Sequence, residues 1–132
     1  MATLNLMRQK ETIRLDDSRD SPEFELDLGD SRLKALSVPF GQAYRTISRF
    51  AKGQGGDPAA LAGAYKEVVA AALGEEAYRA ILDYVTCGAN DAEDATVYMA
   101  PVVTYLFARY SDACTQKRLN LAEKYLASDR AD

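Results

Sequence analysis

Residues 21–38 read SPEFELDLGDSRLKALSV, and the change of period inside this stretch decides the fold. From Glu23 to Leu28 apolar and acidic side chains alternate. Alternation of period two is the mark of a strand with one wet face and one dry face, so Phe24, Leu26 and Leu28 share one side and Glu23, Glu25 and Asp27 the other. After Gly29 the apolar residues recur every three to four positions, at Leu33, Leu36, Phe40, Tyr44, Ile47 and Phe50/Ala51, which is a helical stripe. Asp30 or Ser31 can cap its start. Pro39 and Gly41 interrupt it, which leaves two arrangements: a kink near 36–39, or a short first helix followed by one beginning at Ser37.

Upstream, ETIRL (11–15) also alternates, with Ile13 and Leu15 on one side, and DDSRDSP (16–22) is a dense turn signal. Two short strands around a polar connection predict a β-hairpin, whose apolar face must rest on helices or on another chain because a lone hairpin is marginal in water. Downstream, KGQGGDP (52–58) breaks the helix and ends with Asp57 as N-cap and Pro58 as the first helical residue of a segment reaching Leu73. Leu61, Tyr65, Val68, Val69 and Ala72 form its inward side, and Gly74 stops it. A further helix is predicted from Glu75 to Thr86, burying Tyr78, Ile81, Leu82 and Val85 and ending at Gly88.

The acids of ANDAED (89–94) suit the N-terminus of a last helix from about Asp91 to Ser128. Its stripe is Val97/Tyr98, Val102, Tyr105, Leu106, Arg109/Tyr110 and Ala113, extended by Leu119, Leu121 and Tyr125. Unbroken, such a helix spans on the order of 55 Å, whereas a domain of this size has a radius of gyration of about 14 Å. Either Pro101 bends it or its end projects. The favoured expectation is a bend at Pro101 and a final stretch that is exposed or partnered. The fold class is therefore α+β, mostly helical: an N-terminal β-hairpin followed by a bundle of about four helices, with residues 1–9 as an arm, 10–128 as a single domain and 129–132 as a tail.

Chemistry is mostly excluded. The 132-residue chain has no histidine, which removes Ser-His and Cys-His nucleophile pairs, HExxH zinc sites and helical ExxH di-iron pairs. Cys87 and Cys114 are too far apart for a CxxC motif. The row Glu23, Glu25, Asp27 repeats about every 7 Å along a strand face. A working acid–base pair instead needs one carboxyl held in an apolar pocket. The turn acids Asp16, Asp17 and Asp20 lack the EF-hand spacing, and GQGGDP lacks the Walker lysine. A net charge of −4 and a pI near 4.9 argue against nucleic acid as partner. No apolar run is long enough to cross a bilayer. The default expectation is a cytosolic protein, and no metal-binding or cofactor motif is in view. Charge is nonetheless polarised: residues 16–30 carry seven acids against one arginine, and Arg32, Lys34, Arg45, Arg49 and Lys52 make the next segment basic. Eight tyrosines, at 44, 65, 78, 84, 98, 105, 110 and 125, suit a protein interface as well as a core.

The order of elements resembles the small tail assembly chaperones of long-tailed, non-contractile phages and prophages. EFELDL (23–28) stands where that family opens with a strand of the EYEFD kind, and SRLKALSVPFGQAYRTISRF (31–50) is similar to the helix that follows. VVAAALGEEAYRAILDYV (68–85) resembles the family's turn between helices and ANDAEDATVYMAPVVTYLF (89–107) its final segment. The resemblance covers residues 10–127, and the chain departs from it by an extra first strand and acidic turn. It implies a host-cytoplasmic assembly factor that binds the tape measure protein, with tail tube subunits as a further partner and self-association expected. It also implies a non-enzymatic protein without a cofactor, and the charge and hydropathy above leave no membrane or nucleic-acid partner expected. The competing class is a virion structural protein such as a head–tail connector or completion factor, and a carboxylate enzyme is a third. The expected contact residues are Tyr98, Tyr105, Leu106, Tyr110 and Leu121 on the last helix, then Phe24, Leu26 and Leu28 on the hairpin.

Overall fold

The computed structural model describes residues 10–54 and 57–130. The expected arm, residues 1–9, lies outside them. Strands β1 (Lys10–Arg14) and β2 (Glu23–Asp27) pair antiparallel, with Ile13 opposite Phe24 and Glu11 opposite Leu26. Four helices follow: α1 (Asp30–Ala51), α2 (Pro58–Leu73), α3 (Glu75–Val85) and α4 (Thr96–Arg130). This is the α+β, mostly helical architecture that the alternation and stripes predict.

The hairpin buries Leu26 and Leu28 and packs Ile13, Leu15 and Phe24 against the helical core. Its acidic connection is ordered by one buried hydroxyl. Ser21 Oγ accepts from the backbone N–H of Leu15 (3.0 Å) and of Asp16 (3.3 Å), satisfying two donors where the strand ends. Asp16 Oδ1 accepts from Ser18 N–H at 2.8 Å, an Asx turn. On the outward face Arg14 meets Glu23 at 3.7 Å across the strands.

Helix α1 begins one residue before the expected caps. Gly29 is its N-cap and its carbonyl accepts from Leu33 N–H at 2.9 Å, while Asp27 Oδ1 fixes Gly29 N–H. Neither Asp30 nor Ser31 caps it. The helix runs on through Pro39, so the two-helix alternative does not occur. Pro39 forfeits one backbone bond, worth about 3 kcal/mol with its ring clash, but Leu36, Phe40 and Ala43 on either side are buried and hold the turn in place.

Helix α2 occupies the centre, packing against α1, α3, α4 and β2. Alanines make this close approach possible: Ala62, Ala64 and Ala72 are buried together with Val68 and Val69. Asp57 caps its start, accepting from Ala60 N–H at 2.8 Å, and Pro58 opens it. At the other end Arg32 of α1 donates to the carbonyls of Ala71 (2.7 Å) and Ala72 (3.4 Å), supplying a cation where the helix dipole is negative. Gly74, at φ +102°, is the single residue joining α2 to α3, a conformation open to glycine and strained for other residues.

The start of α4 differs from expectation. It begins at Thr96, because Asp91 caps a preceding turn and accepts from Glu93 N–H (3.0 Å) and Asp94 N–H (3.3 Å). It continues through Pro101 as one 35-residue helix, and Leu119 and Leu121 in its later part are exposed. Ala113 and Cys114 are the last of its described residues to pack on the core. The side chain of Tyr125 lies outside the described residues.

Candidate interaction surface

The structure places the eight expected contact residues in two groups. Leu106, Leu26 and Leu28 are buried, and their side chains belong to the core. Phe24 and Tyr110 are half-buried against it. Tyr98 (60% exposed), Tyr105 (41%) and Leu121 (47%) remain on the surface. The inward row is Ala95, just before α4, followed by Met99, Val103 and Leu106 within it, one position later than the Val97/Tyr98, Val102 stripe at its start. Val97, expected inside, is 75% exposed.

That shift uncovers a feature the stripe reading missed. Residues 95–108 contain no charged side chain at all. Within α4 as far as Ala108, the exposed positions are Val97, Tyr98, Pro101, Thr104, Tyr105 and Ala108. A helix lying on a soluble core ordinarily turns charged residues outward. Here the outward face is apolar, aromatic or small. Further along the helix Leu119 is also more than half exposed. The signal was present in the sequence as the charge-free run itself.

Two borders enclose this face. On one side Glu11 of β1, a residue sequence reasoning passed over, grips α4. Its carboxylate accepts from Arg109 Nε (2.7 Å) and Nη2 (3.2 Å), and from the Tyr105 hydroxyl (3.0 Å). The guanidinium hydrogen bonds hold the Glu11 carboxyl below the usual carboxylate range against the opposing effect of burial. Arg109 is raised by the same bonds, and Tyr105 is raised by burial and by the bond to Glu11. Asp112 adds a second carboxylate to Arg109 at 3.3 Å. At the turn end of the hairpin, Tyr84 of α3 donates to Asp16 at 2.7 Å, which raises the phenol.

On the other side α1 meets α4 through rings. Phe40 lies edge-on to Phe107 (5.3 Å between centroids) and Tyr110 (5.0 Å), and Tyr44 to Phe107 (6.0 Å). Phe40 is buried beneath them whereas Tyr44 stays 62% exposed at the rim.

The strand-face acids Glu23 and Glu25 are exposed and do not converge. No cluster of His, Cys, Asp or Glu able to hold a metal ion occurs among the described residues. No helix among them is long and apolar enough to cross a membrane. Comparison with protein-family models, with curated proteins and with solved structures returned no match.

Proposed function

We propose that this protein is a tail assembly chaperone of the kind found in long-tailed, non-contractile phages, holding the helical tape measure protein in the host cytoplasm until the tail tube forms around it. The observation that carries the reading is the exposed, charge-free face of α4 from Val97 to Ala108. An exposed aromatic and small-residue helix face is suited to an apolar helix laid alongside it. Tyrosines supply contact area with a wet end, so the contact stays reversible. The succession of β2, with its acidic outer face, and the helices after it also accords with the element order of that family, from which β1 and the acidic turn depart. Tail tube subunits and further copies of the chain are secondary partners on this reading.

On this reading a gene for a very long helical protein lies beside its own, and co-expression with that protein provides the test. The chain should keep that protein soluble and co-purify with it, and failure of both overturns the reading. Detection of the chain as a fixed component of finished virions would favour a head–tail connector or completion factor instead.

A further inference from the structure

The two elements that flank the α4 face carry opposite net charge. Tyr105 and Phe107 are two residues apart, hence about 200° apart around the helix. Tyr105 reaches the hairpin through Glu11 and Phe107 reaches α1 through Phe40 and Tyr44. The hairpin and α1 therefore flank α4 on opposite sides. Leu106 points into the core between them, and exposed Thr104 and Ala108 point away from it. Residues 10–28 on the hairpin side hold seven acids against three cations. On the α1 side Arg45, Arg49 and Lys52 are exposed beyond Tyr44. The uncharged strip thus lies between a hairpin of net negative charge, whose Glu11 is already paired with Arg109, and a basic stretch of α1.

Resting on the chaperone reading of this same face, we propose that it seats an amphipathic helix whose apolar side has a basic row along the hairpin and an acidic row along α1. A helix lying with its apolar side down exchanges its two flanks when reversed end to end. Opposite charges on the two borders therefore select one direction of the bound helix over the other. Charge pairing at such a rim contributes more to orientation and partner choice than to affinity.

The test uses the full chain and two synthetic helical peptides of identical composition and apolar face, with the basic and acidic flanks exchanged between them. Their equal net charge cancels the general attraction to an acidic protein. A nitroxide at the peptide N-terminus reports direction by broadening amides near Val97 or near Ser111. Both peptides should bind, and they should run in opposite directions. The preference should vanish in 1 M salt, where screening extends only about 3 Å. In the triple variant Arg45→Glu, Arg49→Glu, Lys52→Glu it should also be lost. Ala108→Lys and Thr104→Lys, each placing an ammonium in the strip, should weaken binding by about tenfold or more. Peptides that share one direction, bind in mixed directions, ignore both lysines or fail to bind overturn the proposal. If the long helical protein still co-purifies, the chaperone reading survives that outcome; if co-purification fails, it is that reading which falls.

Discussion

Helices α2 and α4 both carry many alanines and valines, yet they use those residues differently. Helix α2 is surrounded: α1, α3, α4 and β2 all touch it, and Ala62, Ala64, Val68, Val69 and Ala72 are closed off. Helix α4 is packed along one side, as far as Cys114, and leaves an uncharged side facing out. The contrast shows that apolar content alone does not say whether a helix serves its own core or something outside it. What separates the two is how many neighbours the chain brings to each. The single-residue joint at Gly74 folds α3 back onto α2, whereas α4 comes last and lies along the outside of the packed layers.

The same substitution in each helix tests that contrast directly. Ala64→Lys in α2 places an ammonium and four methylenes where there is no room and should destabilise the fold by about 4 kcal/mol or more, read as loss of the cooperative urea transition. A middle-sized effect is expected where α4 is tied to the hairpin. Glu11→Gln should cost about 1 kcal/mol or less, since both partners are about one-third exposed. The accompanying pH dependence has a definite sign. The Arg109 guanidinium holds the Glu11 carboxyl below the ordinary glutamate range, so its contribution is complete above that range and is lost as pH falls through the lower folded value. Urea midpoints of wild type and Glu11→Gln should therefore converge on acidification below about pH 4. The smallest effect belongs to Ala108→Lys, which should shift stability by no more than about 0.5 kcal/mol while impairing peptide binding. A large loss of stability from Ala108→Lys would mean that this face is packed within the fold, and the comparison would collapse.

Much of the architecture was legible where local chemistry and periodicity agree. The alternation at Phe24, Leu26 and Leu28, the Asp57–Pro58 start of α2 and the Gly74 stop all appear as the pattern predicts. The difficulties arose where the pattern is degenerate. In TVYMAPVVTYLF (96–107) nearly every residue is apolar, so spacing cannot choose between Val97/Tyr98 and Met99 for the inward row; packing against α2 makes that choice. Proline position alone leaves a kink or a fresh helix start open at Pro39 and favours a bend at Pro101, whereas each helix runs on through its proline with buried neighbours on either side. Glu11 was invisible as a site because its partners, Tyr105 and Arg109, lie more than ninety residues away. Cys87 presents a different case. It holds a left-handed φ of +53° at the end of α3, with Gly88 N–H bonded to Asp83 O. This is the closing motif that Gly53 forms after α1, where Gln54 N–H bonds to Arg49 O. Gly88 marked the break in the sequence, and the residue before it gave no sign of its unusual backbone.

The Glu11–Arg109 pairing joins residues 98 positions apart, nearly the two ends of the domain. At translation rates of roughly 5–20 residues per second, a nascent hairpin waits on the order of ten seconds for Arg109 to leave the ribosome. Through that interval Phe24, Leu26 and Leu28 lack their full covering, and the acids beside them keep the young strand soluble and discourage edge-to-edge pairing. The helix that follows the other three in the sequence thus fastens a strand that precedes them all.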